Sequence, residues 1–371
     1  MEFAINRDQI LKPLSHACGI IEKKTTIPIL SNILIEVKES KIKVTATDLD
    51  IIYSEEIPLK DLKKEGVTTT SATTLHDILR KLDSNTLVEF TLQDANKLKL
   101  KSGNSKFNLL CMPSDSFPLA EKDNNTTTFE IESSILLKLL NKTKISISND
   151  ETRHYLNGIY FHKVNHDKNT FLSAVATDSH RLSSSRISID PNINFESVIL
   201  PKKTIFQLIS LLEQNSGKVK VSNNKTKIKF SVGNSLLVSK VIDGRFPDYS
   251  KVVPTNNPKV LKIKLNDFKD SIERVTTVSS DHKEGLKILA TKESLKLSVN
   301  NPNSGEGFEN IDAKFNADDL EISFNSRYLI DIASQIESDS VIINLKDGNS
   351  PVLIHDPSDQ NSFHVVMPMK I

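Results

Sequence analysis

Four adjacent side chains, Asp178-Ser179-His180-Arg181, bring together the groups from which hydrolytic sites are built. A carboxylate, a hydroxyl, an imidazole and a guanidinium can orient, attack, transfer a proton and stabilise an anion. Catalytic sets are nevertheless gathered from distant parts of a chain, and a loop of four consecutive residues cannot surround one reacting atom. We therefore predict no catalytic residue in this chain.

Other candidate ligand sets are equally unconvincing. Asp48 and Asp50 in Thr47-Asp48-Leu49-Asp50 could hold a metal ion, but aspartates at the end of an alternating strand pattern are typical turn residues. The sequence contains no Cys-x-x-Cys, no His-Glu-x-x-His and no calcium-loop pattern. Gly305-Glu306-Gly307 lacks the third glycine and the strand-to-helix setting of a dinucleotide loop. We predict neither a metal site nor a cofactor.

The elements that would position any site follow a threefold repeat. Residues 3–18, 129–144 and 261–278 each open with a short alternating strand and continue into an amphipathic helix. The residues suited to cap these helices are Asn6, Ser133 and Asn266. The spacing between copies is that of domains and not of solenoid repeats.

Each copy continues with strands, a second helix and further strands. The second helices are predicted at residues 71–82, 202–212 and 326–336. Alternating runs predict strands at residues 29–37, 41–47, 67–70, 87–92, 97–101, 106–112, 155–162, 170–176, 197–200, 219–222, 227–232, 236–241, 285–289, 294–299, 320–323, 341–345, 351–355 and 364–367. The fold class is therefore α+β, with two helices per domain packed on mainly antiparallel strands.

Length and composition agree with this organisation. A chain of 371 residues, 37% hydrophobic and 26% charged, is expected to form two or three globular domains, and the repeat favours three. We place the domains at residues 1–125, 126–256 and 257–371, with linkers at 121–128 and 254–258. The sequence shows no signal peptide and no membrane span, and Cys18 and Cys111 suggest reduced thiols. We expect a cytoplasmic protein.

The charge is distributed unevenly. The three predicted domains carry formal charges of −1, +7 and −5, counting Lys and Arg against Asp and Glu. Basic residues recur on the repeated helices, which suits a nucleic-acid surface that neutralises phosphates without reading bases. The alternative is a set of ordinary solvated helix faces. The helix residues concerned are Lys12, Arg80, Lys81, Lys138, Lys142, Lys202, Lys203, Lys269, Arg274 and Arg327.

Two apolar stretches have no obvious place in a core. Asp243-Gly244-Arg245-Phe246-Pro247-Asp248-Tyr249 is turn-rich and carries two aromatic rings, and the chain ends in Val365-Val366-Met367-Pro368-Met369-Lys370-Ile371. A methionine-bearing apolar tail favours an adaptable docking groove, because chain ends are usually polar and frayed. The alternative is a tail packed on its own core.

These motifs together resemble the bacterial DNA polymerase III beta subunit, the sliding-clamp family. The matching phrases run in order along the chain: Leu11-Lys12-Pro13-Leu14, Pro28-Ile29-Leu30, Arg153-His154-Tyr155-Leu156-Asn157-Gly158, Ala176-Thr177-Asp178-Ser179-His180-Arg181-Leu182, the Asp243 to Tyr249 loop and Val366-Met367-Pro368-Met369. The resemblance implies a head-to-tail homodimer forming a ring of six domains around double-stranded DNA. Such a protein confers processivity and catalyses nothing.

The resemblance also implies a hydrophobic cleft for short peptide motifs. Its partners would be the replicative DNA polymerase alpha subunit, the clamp loader and other clamp-binding proteins of replication and repair. Ser179, Lys251 and Lys370-Ile371 differ from the residues common in the family, which are glycine, arginine and Arg-Leu. The implied cleft residues are Leu156, Thr177, Ser179, His180, Arg181, Leu182, Pro247, Lys251, Val252, Val365, Met367, Pro368 and Met369.

Two further sets follow from the resemblance together with the basic helices. The expected DNA-binding residues are Lys24, Arg80, Lys138, Lys142, His154, Tyr155, Lys202 and Lys203. The expected dimer-interface residues are Lys106, Phe107, Leu109, Thr277 and Val278. Since Thr277 is more polar than the usual aliphatic residue, we expect a junction held less by apolar burial, with Lys106 and an acid such as Glu306 or Glu309 contributing.

Two competing interpretations differ in function class. An enzyme of nucleic-acid metabolism would require a catalytic site, for which no motif is present. A clamp-like scaffold could dock peptides without encircling DNA. Dimer closure separates the scaffold from the ring, because a monomer cannot be retained on circular DNA.

Overall fold

The computed structural model describes residues 1–22, 25–94, 96–119, 127–278 and 285–370. Its helices are α1 Arg7–Ile20, α2 Ala72–Lys81, α3 Ser133–Lys144, α4 Lys202–Glu213, α5 Leu265–Thr276 and α6 Ser326–Ala333. Its strands are β1 Glu2–Asn6, β2 Asn32–Lys38, β3 Lys41–Thr47, β4 Ile51–Pro58, β5 Asp61–Lys64, β6 Gly66–Ser71, β7 Leu87–Gln93, β8 Lys97–Ser102, β9 Ser105–Met112, β10 Thr127–Glu132, β11 Gly158–His166, β12 Asn169–Thr177, β13 Arg181–Ser188, β14 Val198–Pro201, β15 Lys218–Asn223, β16 Lys227–Val232, β17 Ser235–Lys240, β18 Lys259–Lys264, β19 Gly285–Ala290, β20 Ser294–Asn301, β21 Gly305–Phe315, β22 Leu320–Asn325, β23 Ser340–Leu345, β24 Val352–His355 and β25 Ser362–Val366.

One order of elements occurs three times. A strand and a helix are followed by four strands, a second helix and three strands, starting at β1, β10 and β18. The first copy contains one additional short strand, β5. The predicted repeat and the α+β fold class are confirmed.

The chain divides into two compact units, and residues of the middle repeat belong to both. The first contains residues 1–137, 193–196 and 203–241, and the second contains residues 138–192, 197–202 and 242–371. In the first unit a 13-stranded sheet runs in the order β10-β15-β16-β17-β4-β3-β2-β6-β9-β8-β7-β1-β5. Here β4 of the first repeat pairs antiparallel with β17 of the second, so one sheet continues through both repeats.

The second unit has a corresponding sheet of 12 strands. Its order is β14-β11-β12-β13-β25-β24-β23-β18-β21-β20-β19-β22, and β13 pairs antiparallel with β25. The apolar faces of α5 and α6 pack on it. Phe268, Ile272, Leu329 and Ile332 are buried in one cluster with the inward-facing strand residues. The three-residue and four-residue spacing of these side chains is what placed them on one helix face.

The helix starts test the predicted caps. Asn6 caps α1, because its side chain accepts a hydrogen bond from the Asp8 N–H at 2.9 Å. The prediction for the third repeat is wrong: α5 begins at Leu265, its N-cap is Lys264, and Asn266 lies inside the helix. Lys264 makes no side-chain cap bond, so this helix start depends on tertiary packing.

Two other boundary predictions need correction. The strand expected at residues 29–37 begins at Asn32, because Pro28–Ser31 forms a 3₁₀ turn. Proline suits the first position of such a turn, where its missing N–H costs nothing. The linker expected at residues 121–128 falls mostly outside the described residues, and its last two residues belong to β10.

Candidate functional site

The turn between β12 and β13 is shaped by Thr177 and Asp178. The Thr177 hydroxyl accepts the Ser179 N–H at 3.1 Å and donates to the Arg181 carbonyl at 2.7 Å. Oδ1 of Asp178 accepts the N–H groups of His180 and Arg181, both at 2.9 Å. The polar side chains therefore satisfy the backbone of a tight turn, which holds Ser179 at a left-handed φ of 78°.

The same turn joins β3 to β4 in the first repeat. Oδ1 of Asp48 accepts the N–H groups of Asp50 at 3.0 Å and Ile51 at 2.7 Å, while Thr47 donates to the Ile51 carbonyl. The prediction that Asp48 is a turn residue is confirmed. Within the described residues no group of three or more His, Cys, Asp or Glu side chains is arranged to hold a metal ion.

A loop after β17 faces the β12–β13 turn. Asp248 starts the short 3₁₀ helix Tyr249–Lys251 by accepting hydrogen bonds from the N–H and hydroxyl of Ser250, at 3.3 and 2.6 Å. The Tyr249 hydroxyl lies 3.0 Å from Nε2 of His162, whose pKa burial lowers to about 4. Burial likewise raises the pKa of Tyr249. Both side chains are therefore neutral near pH 7.

The third wall is the end of β25. Backbone bonds fix the tail that follows: the Met367 N–H donates to the His180 carbonyl at 2.9 Å and the Met369 N–H donates to Ser323 at 2.7 Å. Beneath the pocket Leu156, Leu182 and Val365 belong to one buried cluster. The apolar tail is thus attached to the turn and presents Met367 beside it.

Together these walls enclose a cavity of about 230 Å³. Nine of the thirteen predicted cleft residues line it, and so do Asp248 and Tyr249, which the prediction omitted. Both omitted residues belong to the loop from Asp243 to Tyr249, which the sequence analysis singled out for its two aromatic rings. That signal could have added them to the predicted cleft residues. The lining residues are Thr177, Ser179, His180, Arg181, Leu182, Pro247, Asp248, Tyr249, Val252, Val365 and Met367.

Four predicted cleft residues are not in the lining. Leu156 is buried in the cluster below. Lys251 is exposed, with its ammonium 3.6 Å from a carboxylate oxygen of Asp248. Pro368 and Met369 are half-buried further along the tail.

Arg181 is held more firmly than expected for a group that meets an incoming peptide. Its Nε lies 3.1 Å from Asp178, its Nη1 lies 2.6 Å from Asp331, and its guanidinium stacks 4.3 Å from the Tyr328 ring centre. The side chain is 10% exposed. With both carboxylates engaged, Arg181 acts as a rigid part of the wall and not as a mobile anchor.

The predicted DNA-binding residues fall into distinct groups. Lys24 lies outside the described residues. Lys142 contradicts the prediction: its side chain is 3% exposed and its ammonium lies 2.7 Å from Asp359, so it faces an internal carboxylate instead of solvent. His154 is exposed and donates from Nε2 to the Asp243 carbonyl at 3.1 Å, with the half-buried Tyr155 beside it.

The four remaining basic residues also have acceptors in their own chain. Lys138 lies 2.9 Å from Glu337, and Arg80 lies 3.4 Å from Asp77. The ammonium of Lys203 lies 2.5 Å from the carboxylate of Asp48 and also donates to a backbone carbonyl. Lys202 donates to the side chain of Asn149. A basic side chain that is already paired within its own chain binds phosphate less strongly. The sequence alone could not reveal these pairings.

The predicted interface residues lie on one strand, β9, and at the end of one helix, α5. On β9, Lys106 is exposed and Phe107 half-buried, while Leu109 is buried in its own core. Thr277 ends α5, where its hydroxyl donates to the Glu273 carbonyl at 3.0 Å, and Val278 packs partly on the core.

One of the two acids expected at the interface is already occupied. Glu309 accepts from Arg274 at 2.6 Å and from Ser271 at 2.9 Å, and these bonds hold the pKa of Glu309 below its usual range. Glu309 is therefore engaged within its own chain.

Family sequence models match the whole framework. The N-terminal domain of the DNA polymerase III beta subunit matches residues 1–121, the central domain residues 130–248 and the C-terminal domain residues 250–370. The chain belongs to the DNA polymerase III beta subunit family. Members of this family are sliding clamps, rings that encircle DNA and make its polymerase processive. The chain is accordingly a processivity factor with three clamp domains and not a catalytic subunit.

Relatives agree over their full lengths. The beta sliding clamp of Caulobacter vibrioides is 35% identical over 373 residues and that of Pseudomonas aeruginosa 32% over 372, with all of each chain covered. The sliding clamp of Bartonella birtlesii, solved with griselimycin bound, superposes with a TM-score of 0.96 at 37% identity, covering both chains completely. A Caulobacter crescentus clamp with PEG bound at a region assigned to beta-motif tethering gives 0.94 at 34% identity, covering 100% of this chain and 99% of that one. The resemblance inferred from the motifs is confirmed. In the described residues no helix is long and apolar enough to cross a membrane.

Proposed function

We propose that two copies of this chain close head to tail into a homodimeric ring whose junctions repeat those inside the chain. The first internal junction pairs β4 with β17 and sets Glu55 opposite Ser235. The second pairs β13 with β25 and sets Ser185 opposite Ser362. By position in the repeat, the counterpart of β4 and β13 in the third domain is β21. The counterpart of β17 and β25 in the first domain is β9.

Each counterpart strand has one open edge, which is the observation that carries the ring proposal. Along residues 105–110, β9 pairs with β8, and its pairing with β6 in the described chain involves Cys111 and Met112. Along residues 305–312, β21 pairs with β20, and its pairing with β18 begins at Ala313. Open edges recruit further strands. We therefore expect β9 to pair with β21 of a second copy.

The internal register extends to this junction. It sets Ser105 opposite position 309 of the second copy and Phe107 opposite Gly307. A Cβ at Gly307 would lie 3.0 Å from the Val275 carbonyl, so the absence of a side chain leaves the surface beside it open to Phe107. The pairing also accounts for Leu110 being 81% exposed and Phe308 67% exposed in a single chain.

We further propose that the cavity between the β12–β13 turn, the Asp248 loop and the tail docks short linear peptides. Leucine and aromatic side chains of the peptide would enter the apolar space lined by Leu182, Pro247, Val252 and Met367. The expected partners are the replicative DNA polymerase alpha subunit, the clamp loader and other clamp-binding proteins of replication and repair. The protein would act in the cytoplasm, on double-stranded DNA bound without sequence preference.

Domain limits at residues 1–125, 126–256 and 257–371 are also proposed. They are supported by the order of elements, which restarts at β10 and β18.

A peptide titration tests the cleft. A fluorescent Gln-Leu-Ser-Leu-Phe peptide is titrated with the intact protein, with a version lacking residues 367–371, and with Val252→Asp. Leu119→Asp, at an exposed apolar position outside the cavity lining, is the matched control. We expect micromolar binding by the intact protein and the control, and loss of binding by the other two. Binding that survives truncation would contradict the proposed cleft.

Native mass measurement on the same samples tests the ring. A dimer at micromolar concentration supports closure, and the truncated version should remain dimeric because β9 and β21 are unchanged. A monomer that binds the peptide would instead favour the scaffold that docks partners without encircling DNA.

A further inference from the structure

We propose that Glu337 occupies the place of a DNA phosphate on α3 and competes with DNA for Lys138. This inference rests on the proposed function, in which the ring encircles double-stranded DNA, and it takes α3, which carries the expected DNA-binding residue Lys138, as a DNA-contact surface. Lys138 and Lys142 lie one helical turn apart on the same face of α3. Oε2 of Glu337 lies 2.9 Å from the Lys138 ammonium and Oε1 lies 3.7 Å from that of Lys142.

The two lysines differ in their dependence on Glu337. Lys142 is 3% exposed and has its own partner, Asp359, at 2.7 Å; that carboxylate is 12% exposed. Lys138 is 45% exposed, and its distance to Asp359 is 3.8 Å. Lys142 therefore stays paired without Glu337, whereas the principal acceptor of Lys138 would be lost. Lys138 is the cation that Glu337 controls.

Glu337 is both anchored and accessible. Its backbone N–H donates to Oδ2 of the buried Asp356 at 2.7 Å, and Asp356 is in turn held by the N–H and hydroxyl of Ser358 at 2.8 and 2.6 Å. The Glu337 side chain is nevertheless 56% exposed. A fixed backbone with a solvent-facing carboxylate presents a single negative charge to α3, with one oxygen toward each lysine.

A phosphodiester offers similar chemistry. It carries one negative charge on two free oxygens, and a contact to it requires no base readout. Phosphate and Glu337 are attracted to the same single charge of Lys138, so a phosphate contact made there largely replaces one ion pair by another. The contact then contributes little net grip, which suits a ring that slides.

The alternative is that Glu337 only holds α3 to the third domain. The buried Lys142–Asp359 pair already makes that connection, and an exposed pair such as Lys138–Glu337 adds little to it. The two roles predict different results. A purely structural Glu337 would change melting and leave DNA binding unaltered, whereas a competitor would change the salt dependence of DNA binding.

Glu337→Gln separates the two roles. Binding of the intact dimer to a fluorescein-labelled linear duplex is measured by anisotropy over a series of salt concentrations. Each lysine that newly engages a phosphate steepens the plot of log affinity against log salt by about 0.9. For Glu337→Gln we expect the slope to steepen by that amount for each subunit that contacts the duplex. We also expect its affinity for the duplex to rise about fivefold to tenfold at 0.1 M salt. The melting temperature should be unchanged.

Glu321→Gln is the matched control. Glu321 pairs with Lys287 at 2.8 Å and the two side chains are 55% and 48% exposed, but the pair lies on neighbouring sheet strands, β22 and β19. It should leave both slope and affinity unaltered. The double variant Lys138→Ala with Glu337→Gln should lose the gain.

Three results would overturn the inference. The first is a Glu337→Gln slope equal to that of Glu321→Gln while the wild type binds DNA. The second is a gain that persists in the double variant, since Lys138 would then not be its source. The third is a wild type without salt-dependent binding, which refutes the proposed DNA-contact surface itself and is recognised from the wild-type arm alone.

Discussion

Nη1 of Arg153 donates a hydrogen bond to the hydroxyl of Ser179 at 2.6 Å, across one end of the proposed peptide cleft. Asp150 holds the other side of the same guanidinium, with Nε and Oδ2 separated by 2.8 Å. Ser179 adopts a left-handed φ of 78°, a conformation that suits glycine, the residue common at this position in the family. The serine thus gains a hydrogen bond at the cost of backbone strain.

Ser179→Gly and Ser179→Ala should therefore have different stabilities. Both lose the bond to Arg153, but only glycine relieves the left-handed strain, which costs about 1 kcal/mol for a residue with a Cβ. We expect the glycine variant to melt about 2 °C above the alanine variant at equal protein concentration. Equal melting temperatures would show that this turn stores no strain.

Arg181→Lys should weaken the cleft wall. Lysine keeps the charge but cannot bond Asp178 and Asp331 together while stacking on Tyr328. We expect a loss of about 1–2 kcal/mol in the free energy of unfolding and weaker peptide binding. Arg186→Lys is the control. Arg186 also stacks on an aromatic ring, that of Phe171, but its side chain bonds the amide oxygen of Asn361 at 3.4 Å instead of a carboxylate. If both variants behave alike, the carboxylate pairs have no special role.

Two buried histidines should make the protein less stable in mild acid. Burial lowers the pKa of His364 to about 3 and that of His162 to about 4, and His364 shares a 2.7 Å hydrogen bond with Ser183. Below pH ~6.5 the unfolded chain binds protons that the folded chain refuses, so stability falls as the pH drops. The free energy of unfolding should fall by up to about 1.4 kcal/mol per pH unit for each histidine.

Replacing His364 isolates its share of this effect. Asparagine can keep a hydrogen bond to Ser183 but does not titrate, so His364→Asn should flatten the slope between pH 6.5 and 4.5 by about one proton. Carboxylates such as Asp150, whose pKa is held low by Thr152 and Arg153, weaken the fold from about pH 5 downward, equally in the wild type and the variant, so the difference between the two slopes reports His364. Urea unfolding at four pH values in that window is the measurement. An unchanged slope would mean that His364 becomes protonated in the folded state.

Phe308→Ala should weaken the dimer. The exposed ring sits on the open edge of β21, with the Lys296 ammonium 5.3 Å from its centre, and would be covered by the β9 strand of a second copy. Losing that burial should raise the dimer dissociation constant about 10-fold to 100-fold, as measured by sedimentation. Leu87→Ala, at an apolar residue 54% exposed on β7, should have no effect. A similar change in both variants would place the interface elsewhere.

Much of the framework could be predicted from the sequence because each repeat carries local signals. The second helix predicted at residues 71–82 is α2, Ala72–Lys81, and the alternating run at residues 41–47 is β3 from its first residue to its last. The motif phrases led to the correct family and to nine of the eleven cavity-lining residues. Periodicity and turn chemistry act over a few residues, so they can be recognised without knowing the neighbours.

Four strands were missed, β4, β5, β13 and β21. The junction argument depends on three of them, β4, β13 and β21. In β13 the serines Ser183, Ser184 and Ser185 are almost fully buried, yet a serine run has no apolar alternation. The hydroxyls of Ser183 and Ser185 have partners far along the chain, His364 and Ser362. Strand formation there depends on pairing with the next domain, which no local window contains.

The sequence by itself determined the repeat, the α+β class, the family and the segments that line the cavity, because these depend on residue type and short spacing. The tertiary structure alone decided which charges are available. Lys142 and Lys138 look alike on α3, but folding brings Asp359 and Glu337 from the third domain against them. Burial and ion pairing are set by long-range contacts, so a lysine predicted to meet phosphate can instead be held within its own chain.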